Sequence, residues 1–111
     1  MSDVNDCATE EVQGIRLVRV RGEVDLSWSQ QLRKSILAAL NGGRPVAVDL
    51  SQVTYIDSSG IAALVEGFQN ARGKSQRFSL VAVSKPVHAV LELARLDRVF
   101  PIFATLEDAA K

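Results

Sequence analysis

Residues 46–68, VAVDLSQVTYIDSSGIAALVEGF, restrict the possible folds of this chain more than any other stretch. The unbroken apolar run Val46-Ala47-Val48, leading into Asp49 and Leu50, has the character of a strand covered on both faces. A short connector then delivers Asp57-Ser58-Ser59-Gly60 to Ile61, Leu64, Val65 and Phe68, whose i, i+3, i+4, i+7 spacing predicts a helix. Asp and Ser just ahead of such a helix carry oxygens able to accept the unpaired N–H groups of its first turn. The same placement sets a hydroxyl beside the positive end of the helix dipole, where an added negative charge is favoured. That setting suits reversible phosphorylation.

The remaining chain repeats the alternation. Residues 1–6 are expected to fray, and residues 7–111 to form one domain whose first piece, residues 7–12, is a weak edge strand. Residues 15–20 (IRLVRV) read as a better strand, with Arg16, Arg19 and Arg21 reaching solvent. Its apolar spacing slips between Leu17 and Val18, which implies a bulge or burial on both faces. Trp28, Leu32, Ile36 and Leu40 form one stripe of a helix over residues 27–40, ended by Asn41-Gly42-Gly43. Asp25 is placed to initiate it. The helix after Gly60 stops at Gly73, with Gly67 interrupting its regularity in a way that suggests an altered partner surface. Residues 78–83 are a third buried strand, followed by a helix over residues 85–94 with Pro86 in its first turn. Residues 100–103 form a short strand that Pro101 marks as an edge. Thr105 and Asp108 resemble a loose capping box opening a terminal helix. Strands alternating with helices imply an α/β domain with a mixed, mainly parallel sheet of four to five strands and about four helices.

Composition narrows the function classes. A hydrophobic share of 47% supports a core without disulfides or metal. Thirteen basic and thirteen acidic residues cancel, which removes the electrostatic case for nucleic acid or an anionic membrane. Cys7 is a lone cysteine that makes no internal disulfide, and with the acidic, polar start MSDVNDCATEE it leads to the expectation of a cytoplasmic location. No apolar run approaches the roughly 18 residues that a membrane-spanning helix needs.

Catalysis by this chain alone is not expected. Serine needs a base to act as nucleophile, and the sole histidine, His88, falls in a different helix. Ser58 has no G-x-S-x-G surroundings, and no phosphate loop, dinucleotide motif or metal-ligand cluster is present. Ser58 therefore reads as a substrate of another enzyme, and no cofactor is implied. Asp57 fits either a helix cap or a contact for that enzyme. Ser59 is expected to cap while Ser58 faces outward. Gly60 reads as permitting a tight turn or the close approach of a partner. Arg33, Lys34 and Arg72 read as solvated, Trp28 as core, and His88 as a surface residue.

The string DLSQVTYIDSSG, with Gly22-Glu23-Val24-Asp25 upstream of it, resembles the signature of STAS domains, the family of bacterial anti-sigma factor antagonists. Chain length and element order fit as well, so the resemblance covers nearly all of the sequence. It implies an antiparallel N-terminal strand and a phosphoacceptor at Ser58. Asp25, Asp57, Ser59, Gly60 and Ile61 fall in the partner- and kinase-binding region. The unphosphorylated protein would capture an anti-sigma factor kinase and release a sigma factor, phosphorylation would reverse this, and a phosphatase would reset it. The alternative within the family is a subunit of an ABC-type lipid transporter, using the same surface as a wedge. A phospho-receiver domain, with Asp57 as acceptor, fits poorly: Glu23 and Asp25 are not adjacent, and the last strand is followed by Ala104 and Thr105 rather than a conspicuous lysine.

Overall fold

A computed structural model describes residues 5–111; the expected fraying of the N-terminus falls largely on residues 1–4, outside that span. Strand β1 (Asp6–Val12) turns through Gln13 and Gly14, both with positive φ, into β2 (Ile15–Val24). Such two-residue turns match the twist of an antiparallel hairpin, and β1 pairs antiparallel with β2 from Asp6↔Arg21 to Val12↔Ile15. Helix α1 (Ser29–Ala39), strand β3 (Val46–Ile56), helix α2 (Ser58–Gly73), strand β4 (Phe78–Val81), helix α3 (Lys85–Leu93), strand β5 (Ile102–Phe103) and helix α4 (Leu106–Ala110) follow, with a short 3-10 turn at Leu96–Arg98. The sheet has five strands in the order β1-β2-β3-β4-β5, and every pairing after the first is parallel.

Parallel neighbours added always in one direction need right-handed crossovers, which put successive helices on the same face. The burial agrees with this. Leu32 and Ile36 of α1, Leu64 of α2, and Val87 and Leu91 of α3 share one core with Val18, Val20, Val46, Val48 and Leu80 of the sheet. On the reverse face α4 places Ala109 over Ile15, Leu17, Ala47 and Val81. Ile15 and Leu17 thus face α4, while Val18 and Val20 face the large core. This two-sided burial accounts for the slip at Leu17-Val18. The register shifts of β2 against β3 lie further along, between Arg19 and Arg21 and between Gly22 and Glu23.

Two boundaries differ from the sequence reading. Residues 51–56 are not a connector: β3 continues through them, pairing Gln52 with Arg21, Val53 with Gly22 and Ile56 with Val24. Likewise β2 does not stop at Val20: Gly22-Glu23-Val24 is its end, and Gly22 holds φ +102° at the second shift. The extension pairs on the β2 side only, since the β3–β4 register ends at Asp49↔Val81. Its residues are therefore mostly exposed and do not form the apolar run that marks the first half of the strand.

Candidate functional site

The Ser58 site is built where β2 and β3 end and α2 begins. The Asp57 N–H donates to the Val24 carbonyl at 3.1 Å, which fixes the end of β3 against the end of β2. Asp57 is extended and is the N-cap of α2. Its Oδ1 accepts from the Ser59 N–H at 2.9 Å, the Gly60 N–H at 3.2 Å and the Ser59 hydroxyl at 2.6 Å. Capping is therefore done by Asp57, and Ser59 is held by it, because a carboxylate outcompetes a hydroxyl for the same N–H groups. The Ser59 hydroxyl is the largest influence and, with smaller help from nearby backbone N–H groups such as that of Gly60, it outweighs an opposing desolvation effect and holds the Asp57 carboxyl below the usual carboxylate range.

The two serines are thereby made unequal. Ser59 is half-buried, with its proton committed to Asp57. Ser58, the first helical residue, is exposed, and among the described residues its hydroxyl makes no hydrogen bond. Gly60 and Ile61 do not reach the surface: both are buried on the sheet-facing side of α2. A Cβ on Gly60 would stand 2.6 Å from Ile56 Cγ1 and 2.7 Å from Val24 Cγ1, so the close approach that demands glycine is within the chain itself. Gly67 obeys the same logic. The helix runs through it unbroken, and a Cβ there would meet Ile36 Cγ2 of α1 at 2.5 Å. Its missing side chain sets the α1–α2 distance and is not a mark of an altered partner surface.

Asp25 lies in the neighbouring loop. Its Oδ1 accepts from the Ser27 N–H at 3.0 Å and the Ser27 hydroxyl at 2.6 Å, and its carbonyl accepts from the N–H groups of Trp28 and Ser29. It therefore organises the entry to α1, whose N-cap residue, Trp28, supplies no side-chain cap. Leu26, next to it, is 75% exposed and was not among the residues singled out from the sequence. Its place off the apolar stripe that begins at Trp28, between Asp25 and Ser27, was the available signal.

Other conspicuous residues take structural roles. Arg33 is not merely solvated: its guanidinium grips Glu66 in a two-pronged ion pair, 2.7 Å and 2.9 Å, that joins α1 to α2. Burial pushes the Cys7 thiol up, against a lesser opposing hydrogen bond from Ser35, which leaves it protonated and unreactive. His88 Nδ1 sits 3.7 Å from a Glu92 carboxylate oxygen on the surface of α3. Among the described residues no cluster of His, Cys, Asp and Glu is arranged to hold a metal, and no helix is long and apolar enough to cross a membrane. A cavity of about 490 Å³ lies at the opposite edge of the sheet among Pro45, Phe68, Arg72, Arg77 and Phe103. Open α/β sheets bind their ligands beyond the carboxyl ends of the strands. Ser58 sits at that edge and the cavity does not.

Known proteins share this fold. The model of the STAS domain family matches residues 6–109. The anti-sigma-F factor antagonist RsfB of Mycobacterium tuberculosis is 31% identical over 98 residues, spanning 86% of this chain and 79% of that protein. An anti-sigma F factor antagonist of Paenibacillus polymyxa is 25% identical over 96 residues, spanning 85% and 82%. Among solved structures, an anti-sigma factor antagonist from Mycobacterium paratuberculosis is similar with a TM-score of 0.86 and 30% identity, over 96% of this chain and 91% of that one.

Proposed function

The chain belongs to the STAS domain family, and from that premise we propose that it is an anti-sigma factor antagonist switched by phosphorylation of Ser58. The observation that carries this reading is the inequality of the two serines: Ser58 stands exposed at the first position of a capped helix, while Ser59 is tied to Asp57. Unphosphorylated, the Ser58 end docks on an anti-sigma factor kinase and so releases a sigma factor. The kinase supplies the nucleotide and the base, and this chain supplies the acceptor hydroxyl. Phosphorylation adds about −1.5 to −2 charges. Toward the protein's own interior that charge faces the N–H groups of α2, so the fold persists. Toward the partner it adds bulk and repulsion beside Asp57, and the complex dissociates. A phosphatase resets the cycle.

Affinity capture from the native host, with wild type and Ser58→Asp as baits, tests the proposal. A serine kinase of the anti-sigma type should be recovered by wild type alone. Equal recovery by both baits would overturn the charge switch. ABC-transporter subunits on both baits would make this chain a transport-associated wedge, with Ser58 reduced to a first-turn residue.

A further inference from the structure

Leu26 is a large apolar side chain, 75% exposed, on a loop that the fold holds still. Single exposed leucines are ordinary on protein surfaces; the surroundings set this one apart. Its loop is fastened on both sides of Leu26: Asp25 Oδ1 takes the Ser27 N–H and hydroxyl, the Asp25 carbonyl takes two N–H groups of the α1 entry, and the Leu26 carbonyl accepts the Ser29 hydroxyl at 3.4 Å. A side chain presented by a fixed backbone loses little freedom on docking, which is the condition for a strong anchor. The Asp57 N–H donates to the carbonyl of Val24, two residues before Leu26, so the loop that carries the anchor and the start of the Ser58 helix are joined at the ends of their strands.

The electrostatics specify what Leu26 would meet. Glu23 and Asp25 precede it and Asp57 adjoins it, and none of these has an ion-pair partner among the described residues. Leu93, even more exposed at 88%, offers the contrast: it lies at the far end of α3, away from Ser58. Leu26 is thus flanked by Glu23, Asp25 and Asp57, whereas Leu93 is followed by the mixed charges Arg95, Asp97 and Arg98. Acid ringing an apolar side chain matches an apolar pocket with a basic rim, the rim guiding encounter and the pocket supplying affinity.

We propose that Leu26 is the apolar anchor by which the Ser58 end docks on its anti-sigma partner, seated in a partner pocket rimmed by basic side chains. The inference rests on the function proposed above and adds the residue that carries the affinity and the chemistry of the surface that receives it.

The test replaces Leu26, or Leu93 as control, with the photo-crosslinking residue p-benzoylphenylalanine in full-length protein expressed in the native host, and adducts are identified by mass spectrometry. The expected result is an adduct with the anti-sigma kinase from position 26, none from position 93, and loss of the adduct when Ser58→Asp is added. If the position-26 variant still co-purifies with the kinase but forms no adduct with it, the anchor is wrong and the switch stands; if it no longer co-purifies while the position-93 variant does, the anchor is supported. If no bait recovers a kinase, or position 26 crosslinks only transporter subunits, both readings fall. With the purified pair, Leu26→Ala should weaken binding by roughly 10- to 100-fold, the worth of burying one leucine side chain. Leu93→Ala should leave it within about twofold. Unchanged affinity of Leu26→Ala, with its melting temperature intact, would also overturn the anchor.

Discussion

The two edges of the parallel sheet treat their polar groups in opposite ways. At the edge where the strands begin, polar side chains are turned inward to fasten the chain. Gln76 Nε2 donates to the Leu40 carbonyl at 3.1 Å and the Arg44 carbonyl at 2.6 Å, and Arg77 donates to the Ala109 and Lys111 carbonyls. The rings of Phe68, Phe78 and Phe100 meet close by, with centroids 5.4 to 6.4 Å apart. At the edge where the strands end, Asp57 and Asp25 fasten the backbone of their own loops, and Ser58 and Leu26 are left facing water. The first edge is closed only in the sense that these side chains are spent on the chain's own backbone, around the cavity they line, while the other edge presents Ser58 and Leu26. Substitutions at the first edge and along the helix interior should act on stability, and substitutions at the second on binding.

The largest expected effect is a binding effect with no stability component. Ser58→Asp places a charge beside Asp57 at the centre of the proposed docking surface, where like-charge contacts cost several kcal/mol, so affinity for the proposed kinase partner should fall about 100-fold or more. Its melting temperature should match wild type, since the new carboxylate lies at the N-terminus of α2. Titration calorimetry and thermal unfolding on the same samples separate the two, and a large drop in melting temperature would erase the contrast between the edges.

Gly67→Ala should do the reverse. The added methyl meets Ile36 Cγ2, a β-branched side chain with little rotamer freedom, and overpacking of this kind costs about 1–3 kcal/mol. The gain in helix propensity returns up to about 1 kcal/mol. The net loss, read from urea unfolding, should come with kinase affinity unchanged for the folded protein. A stabilised Gly67→Ala would mean that α1 and α2 are not in the close contact described.

These pairs also show what the sequence made legible. The start and buried stripe of α2 could be read because burial of one face imposes a 3.6-residue period on Ile61 and Leu64. The second half of β3 could not, because a strand paired on one side and exposed carries no apolar run. Gly67 looked like an interruption because a glycine forced by a neighbouring helix and one that weakens a helix are the same letter. Arg33 looked solvated because its partner, Glu66, is 33 residues away. The choice of Asp57 over Ser59 as cap depends on where β3 ends, and that is fixed by the Asp57–Val24 hydrogen bond, a long-range contact. What stayed hidden at the site was set by the tertiary packing of loops, and what was visible was set by local periodicity.

Asp57 belongs to both sides of the comparison, and pH divides its roles. Asp57→Ala leaves the Ser59 and Gly60 N–H groups without their acceptor, and it should lower the melting temperature by less than Gly67→Ala does. Asp57 has its folded-state pKa lowered, so its contribution is complete above the unfolded carboxylate value and fades as pH falls through the folded one. The gap in melting temperature between wild type and Asp57→Ala should therefore close in acid. Asp57→Asn keeps a good capping acceptor. It should hold neutral-pH stability close to wild type without that dependence. A gap that persisted undiminished into strong acid would show that the carboxylate charge is not what the cap uses.

The smallest effect belongs to the pair between the two edges. Arg33 and Glu66 bridge α1 and α2 with both prongs formed, yet their side chains remain 39% and 37% exposed. Each shifts the other in the sense of mutual charge stabilisation, Arg33 upward and Glu66 downward, led in both cases by the shared hydrogen bond. Exposed pairs are screened by salt. Glu66→Gln should cost little at low ionic strength, and its difference from wild type should vanish as salt is raised. Gly67, one residue on, fixes the same helix pair through a steric contact that salt does not touch, so Gly67→Ala should lose the same stability at every ionic strength. If Glu66→Gln instead weakened the kinase complex as strongly as Leu26→Ala, the docking surface would run along the α1–α2 seam, and the division between a closed edge and a presenting edge would have to be redrawn around α2.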